Sequence, residues 1–178
     1  MNPLDQRTPA TPPSLGHTAK MKILIVDDEP ANVALLEAML DQSGYTRMRT
    51  VTDSRLVLET CADFAPDLIL LDLMMPHVDG FGILEALRSG PREVFLPVIV
   101  LTADVNEETK RRALRAGATD FLLKPFDEIE VLLRIGNMLE IRRLHLQLDM
   151  QRAAFEEAVR ERTADLRAVE RELELARA

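Results

Sequence analysis

The sequence predicts an α/β protein built on a doubly wound parallel sheet, with a long helix at its C-terminal end. From Met21 onward, short apolar runs that end in a polar residue alternate with helical patterns, which is the rhythm of βα units. Most of the runs are continuously apolar rather than alternating, as strands covered on both faces require. From Asn137 to Ala178 there is no Gly, Pro or Lys, and Leu, Ala, Arg and Glu dominate, the composition of one long helix.

Taken in order, the first 20 residues hold four of the ten prolines and no apolar run that could form a signal-peptide core, so they read as a disordered leader on a cytoplasmic protein. Strands are expected at Lys22 to Val26, Arg47 to Val51, Asp67 to Leu71, Val98 to Leu101 and Asp120 to Leu123. The second of these alternates with arginines and so suits an edge with one wet face. Helical spacing occupies Ala31 to Ser43, Ser54 to Ala62, Gly80 to Arg88 and Asn106 to Ala116, with Gly44 and Gly117 where C-terminal caps belong. The resulting domain runs over residues 21–139, and residues 140–178 continue its last helix.

Hydrophobic residues make up 47% and charged residues 29%, a globular composition, but aromatics are only 4%, so the core must be mostly aliphatic. The net charge of -8 argues against direct binding of nucleic acid, which asks for clustered Lys and Arg. No apolar stretch approaches the roughly 20 residues that span a bilayer, so membrane insertion is not expected. Cys61 has no cysteine to pair with and reads as a small core residue. His17 and His77 lie in loop-like sequence and His145 on the long helix, none beside a convincing metal or catalytic partner.

In the tail, a heptad with a positions at Met138, His145, Arg152, Val159, Leu166 and Leu173 places Ile141, Leu148, Phe155, Arg162, Val169 and Ala176 at d. Nine of the twelve are apolar, and a lone helix could not bury such a stripe against one small domain, so a homodimer through a coiled coil is expected. Its seam would be Met138, Ile141, Leu148, Phe155, Val159, Leu166, Val169 and Leu173, zipping best toward the C-terminal half.

Ligands of parallel α/β sheets bind outside the carboxyl ends of the strands, where this chain places Asp27 and Asp28, Asp72, Thr102 and Lys124. Three converging carboxylates repel unless a cation sits among them, and hard oxygens without Cys or a placed His select Mg²⁺ over zinc. A carboxylate can also accept a phosphoryl group, with a divalent ion and an ammonium neutralising the charge that builds up; Asp72 and Lys124 suit those parts. A hydroxyl at Thr102 could then hydrogen-bond a phosphoryl oxygen and report its arrival. Taken singly, each residue has a plainer reading: Asp27 and Asp28 as helix caps, Asp72 as a strand end, Lys124 as a solvated charge.

Together, the DD at Asp27 and Asp28, DLMMPHVDG from Asp72 to Gly80, TA at Thr102 and Ala103, and KPF from Lys124 to Phe126 resemble two-component response-regulator receiver domains over about residues 21–140. The resemblance implies a flavodoxin-like (βα)5 sheet of order 2-1-3-4-5. It implies Asp72 as phosphoacceptor, Asp27 and Asp28 as the acidic metal pair, Met74 as a backbone-carbonyl ligand to Mg²⁺, Thr102 as the signalling hydroxyl and Lys124 as the phosphate-binding amine. It also implies Phe121 as the switch aromatic and a cis Lys124 to Pro125 bond. The partner it implies is a sensor histidine kinase, and the chain would be a switch rather than a turnover enzyme. The tail is similar to signalling-helix linkers that lead to HD-GYP or GGDEF cyclic-di-GMP enzymes or to kinase modules. Since the chain stops within the helical pattern, an output domain is expected beyond Ala178.

Rival readings fit less well. The first strand turn reads DDEPAN, with no G-x-G-x-x-G, and no G-x-x-x-x-G-K-[ST] occurs. An aspartate phosphatase would want D-x-D, but Leu73 and Met74 follow Asp72. His145 lacks the acidic and proline neighbours of a kinase phosphoacceptor box, and the intact Asp72, Thr102 and Lys124 argue against a purely structural dimerisation module.

Overall fold

Strands β1 (Ile23–Val26), β2 (Met48–Val51), β3 (Leu68–Asp72), β4 (Val98–Thr102) and β5 (Asp120–Leu123) form one parallel sheet in the order β2-β1-β3-β4-β5. The structure is a computed structural model that describes residues 18–89, 95–104 and 106–177, so most of the expected leader, His17 included, lies outside the described residues. The flavodoxin-like architecture expected from the sequence is the one observed. β1, β3 and β4 are buried along their whole length, as their unbroken apolar runs require, whereas β2 is only partly covered, as an edge strand with Arg49 on its wet side should be.

Helices α1 (Pro30–Gln42), α2 (Val57–Phe64), α3 (Gly80–Arg88), α4 (Glu107–Ala116) and α5 (Glu128–Arg177) connect and follow the strands. β1 steps to one side of itself to reach β2, and every later crossover runs the other way. Right-handed connections therefore place α1 on one face of the sheet and α2, α3 and α4 on the other. One core accordingly joins Leu24, Val26, Ile69, Leu71, Val98 and Val100 of the strands to Val57, Ile83, Leu84 and Ala113 of those three helices. The alternate strand residues Ile23, Ile25, Leu68, Leu70, Ile99 and Leu101 face the opposite side and are equally inaccessible, as are Leu36 and Leu40 of α1 and Val131, Ile135 and Leu139 of α5. Each such side chain contributes roughly 1.5–3 kcal/mol by leaving water.

Local chemistry sets the ends of the helices. α1 starts at Pro30, whose missing N–H is no loss in a first turn, and closes with Gly44 at φ 89°. Asp53 accepts from the Arg55 N–H at 3.0 Å, so the segment expected to open as a helix at Ser54 is instead a short 3-10 turn, Ser54–Leu56, with α2 beginning only at Val57. α2 extends past the expected Ala62 to Phe64 and stops where Ala65, at φ 48°, precedes Pro66. Gly117, at φ 108°, caps α4, and a Cβ there would lie 2.4 Å from Arg88 Nε, which itself donates to Gly117 O at 3.1 Å.

α5 begins at Glu128, nine residues before the change in composition at Asn137, because Asp127 accepts from the Glu130 N–H at 2.9 Å and Gly136 is tolerated inside the helix. In the first third of the helix Arg142 is buried: its Nη1 donates to Phe95 O at 2.6 Å and its Nε lies 3.5 Å from Asp67 Oδ1. At the same end of the sheet Tyr45 is 2% exposed, and burial raises the pKa of its phenol. The chain divides into two compact units, one ending at Arg142 and one starting at Arg143.

Candidate functional site

Parallel strands deliver their carboxyl ends to one edge, and four of the five strands bring a polar residue there. Asp27 and Asp28 follow β1, Asp72 and Thr102 are the last residues of β3 and β4, and Lys124 follows β5. One carboxylate oxygen each from Asp27, Asp28 and Asp72 lies within 4.8 Å of the others. Asp27 is fully buried, Asp72 is 4% exposed and Thr102 2%. Lys124 Nζ bridges the two buried carboxylates, 2.7 Å from Asp27 Oδ2 and 3.3 Å from Asp72 Oδ1.

Asp27 can stay in the interior because its lone pairs are used. Oδ1 accepts from the Glu29 N–H at 2.9 Å and from Asn32 Nδ2 at 3.1 Å, and Oδ2 accepts from Lys124 and again from Asn32 Nδ2 at 3.1 Å. Burial pushes the Asp72 carboxyl above its ordinary pKa; the Lys124 ammonium pulls it back, and the charge of Asp27 pushes it up again. Three hard carboxylates facing one ammonium leave excess negative charge at a partly open edge, which suits a divalent cation that takes oxygen ligands.

The loop from Leu73 to Asp79 shapes the rim beside Asp72. Gly80 passes so close to the end of β3 that a Cβ would lie 2.4 Å from Asp72 O and 2.7 Å from Leu73 Cα, and its N–H donates to Leu73 O at 3.0 Å. Within the loop Met75 is buried and Met74 is 77% exposed. Asp79 caps α3 by accepting from the Gly82 N–H at 2.8 Å. The loop is tied from outside by Ser54, which, like Asn32, carries no signal in the sequence strong enough to single it out.

On the other flank, Thr102 Oγ1 accepts from the Asp104 N–H at 3.0 Å, and Asp104 accepts from the Asn106 N–H at 2.8 Å and from the Thr109 hydroxyl at 2.6 Å. Thr102 is thereby joined to the first turn of α4. The Thr109 hydroxyl and the Asn106 N–H hold the Asp104 carboxyl below its ordinary pKa. Phe121, half-buried in β5 opposite Val100, lies with its ring centroid 4.7 Å from Lys110 Nζ and 5.7 Å from the Arg134 guanidinium. The Lys124-Pro125 bond is cis.

A family model for the response regulator receiver domain matches residues 23–136. The chain belongs to this family. Response regulator PleD of Caulobacter vibrioides is 39% identical over 117 residues, which are 66% of this chain and 26% of PleD. The DNA-binding dual master transcriptional regulator RpaA of Synechocystis is 40% identical over 118 residues, 66% of this chain and 48% of RpaA. Among solved structures, NtrX from Brucella abortus superimposes with a TM-score of 0.67 at 31% identity, covering 74% of this chain and 29% of NtrX. The chain thus spans about a quarter to a half of the length of these curated relatives. Receiver domains work in two-component signalling, bind Mg²⁺ at an acidic pocket and interact with histidine kinases.

Cys61 is half-buried in α2 against the core, and burial pushes its thiol pKa up to about 11, which leaves it unreactive at neutral pH. His77 is exposed in the loop after β3, with a φ of 71°. In the second compact unit the heptad residues Leu148, Phe155, Val159, Leu166, Val169 and Leu173 are 47% to 70% exposed, and Ile141, just before it, is 38% exposed. Met138 is partly covered. Among the described residues no helix is long and apolar enough to cross a membrane.

Proposed function

We propose that this chain is the receiver part of a response regulator that takes a phosphoryl group from a sensor histidine kinase on Asp72. The observation that carries this reading is Lys124 Nζ lying 2.7 Å and 3.3 Å from the two buried carboxylates, Asp27 and Asp72, that stand beside Asp28. A carboxylate oxygen of Asp72 forms the new P–O bond while the P–N bond of the donor imidazole breaks. Asp27, Asp28, Asp72 and the backbone carbonyl of Met74 would hold Mg²⁺, which when bound neutralises charge on the transferring group. Lys124 binds the phosphoryl oxygens as a point charge.

The hydroxyl of Thr102 has one donor, and turning it toward a phosphoryl oxygen alters its contact with the Asp104 N–H and so disturbs the start of α4. Phe121 then rearranges beside Lys110 and Arg134. The altered β4 and β5 face biases the pairing of two copies through the heptad helix, and that pairing passes the state to an output domain outside this chain. The exposed apolar side chains from Leu148 to Leu173 support the pairing, since an unpaired stripe of this size is costly in water. We place the protein in the cytoplasm, where its kinase partner would present the donor. On this reading the receiver itself is a switch and not a turnover enzyme.

The test is phosphoryl uptake. With Mg²⁺ and labelled acetyl phosphate the wild type incorporates one phosphoryl group that intact-mass measurement and peptide mapping locate at Asp72; incorporation by Asp72→Asn at the wild-type rate would overturn the assignment.

A further inference from the structure

Ser54 follows the edge strand β2, two strands away from the strand that ends in Asp72, yet its side chain reaches the loop after β3. It is 4% exposed; its hydroxyl donates to Pro76 O at 2.6 Å and accepts from the Val78 N–H at 3.1 Å. The same Val78 N–H lies 3.0 Å from Pro76 O, which closes a three-residue turn around His77. His77 sits there at φ 71°, the left-handed form of that turn, which a residue with a Cβ adopts only under strain. One hydroxyl thus holds both ends of a strained turn that no glycine relieves. Ser54 is itself well fixed, because Asp53 accepts from the Arg55 N–H at 3.0 Å and from Arg55 Nε at 2.9 Å.

We infer that Ser54 is a positioning residue for the acidic site: it keeps the His77 turn closed and thereby sets the backbone from Leu73 to Met75, on which divalent-cation binding beside Asp72 depends. The inference deepens the reading of that edge as a Mg²⁺ site and rests on it. Backbone strain held by a specific neighbour is expected where a loop must be presented in one conformation. The loop is pinned at its far end by Gly80 against Leu73 O, so relaxation at His77 has little room to spread except back toward Met74. Groups that orient metal ligands without touching the metal change affinity by about 10- to 100-fold when removed.

Calorimetric titration of the full chain with MgCl₂ tests this. Ser54→Ala should weaken Mg²⁺ by about tenfold. Ser54→Thr, which retains the hydroxyl, should stay near wild type, and adding His77→Gly to Ser54→Ala should recover most of the loss, because glycine holds the turn without a staple. An unchanged affinity in Ser54→Ala, or an equal loss with and without His77→Gly, overturns the proposal. Should Ser54→Ala not fold, Ser54→Cys, with its weaker donor, gives the same comparison. Amide hydrogen exchange at Val78 without metal separates the two ideas: about tenfold faster exchange in Ser54→Ala than in Ser54→Thr keeps the staple even if the wild type binds no Mg²⁺, and equal exchange removes it.

Discussion

Asp72→Asn removes a charge that the metal-free fold holds at a cost, and the size of that cost follows from the distances. At an effective dielectric of about 20, the attraction of Asp72 to Lys124 across 3.3 Å is on the order of 5 kcal/mol. Repulsion from Asp27 and from Asp28, each within 4.8 Å, is on the order of 3.5 kcal/mol apiece. The partly exposed Asp28 is screened to roughly half of that, which brings the charges near balance, and burying the carboxylate tips the sum against the ion, the same direction as its raised pKa. The variant should therefore be more stable than wild type without metal by roughly 1 kcal/mol, seen as a midpoint about 4 °C higher in a circular-dichroism melt in EDTA. In Mg²⁺ at about 100 times its dissociation constant the wild type gains about 2.7 kcal/mol and the variant much less, so the order reverses. The sign with pH follows as well. A raised native pKa means that the folded protein holds more protons than the unfolded one above the ordinary carboxylate range, so metal-free wild type loses stability as pH rises through that window, and the advantage of the variant shrinks toward acid. A variant that melts below wild type in EDTA at neutral pH would refute the charge-crowding argument.

Two further outcomes can be measured. Gly80→Ala puts a methyl 2.4 Å from one backbone atom and 2.7 Å from another, so the end of β3 must move; about 2 kcal/mol of destabilisation in urea titrations and slowed phosphoryl uptake are expected, and a neutral substitution would mean that the close approach is not constrained. Leu166→Glu with Val169→Glu places charges on the expected seam and should convert a dimer to a monomer at micromolar concentration by sedimentation equilibrium; unchanged mass would exclude this seam.

The sheet was legible because a strand buried on both faces must be apolar throughout, and Ile23–Val26, Leu68–Leu71 and Val98–Leu101 leave no second reading once βα spacing is seen. The candidate site was legible for a related reason: polar residues stopping such runs have one edge to go to. The helper residues were not. Asn32 and Ser54 act through partners whose nearness is created by folding, 22 to 24 residues apart for Ser54 and the loop after β3, and small polar residues at helix starts are too common to stand out. Arg142 falls in a heptad stretch as an ordinary charged residue, and only the folded chain shows it buried against Phe95 O. The start of α2 was misplaced because apolar spacing cannot tell a 3-10 turn from the first turn of a helix, whereas the cap by Asp53 can.

The aliphatic core also determines what light can report. With no Trp and a single Tyr, the chain has one near-ultraviolet chromophore of any strength, and Tyr45 lies just before β2, at the opposite end of the sheet from Asp72. Its ring is enclosed and makes no part of the acidic edge. A change in tyrosine emission or ellipticity when an ion or phosphoryl donor is added would therefore be a signal carried through the sheet rather than a local stain of the binding event, and a silent tyrosine would locate the response near the loops where it began.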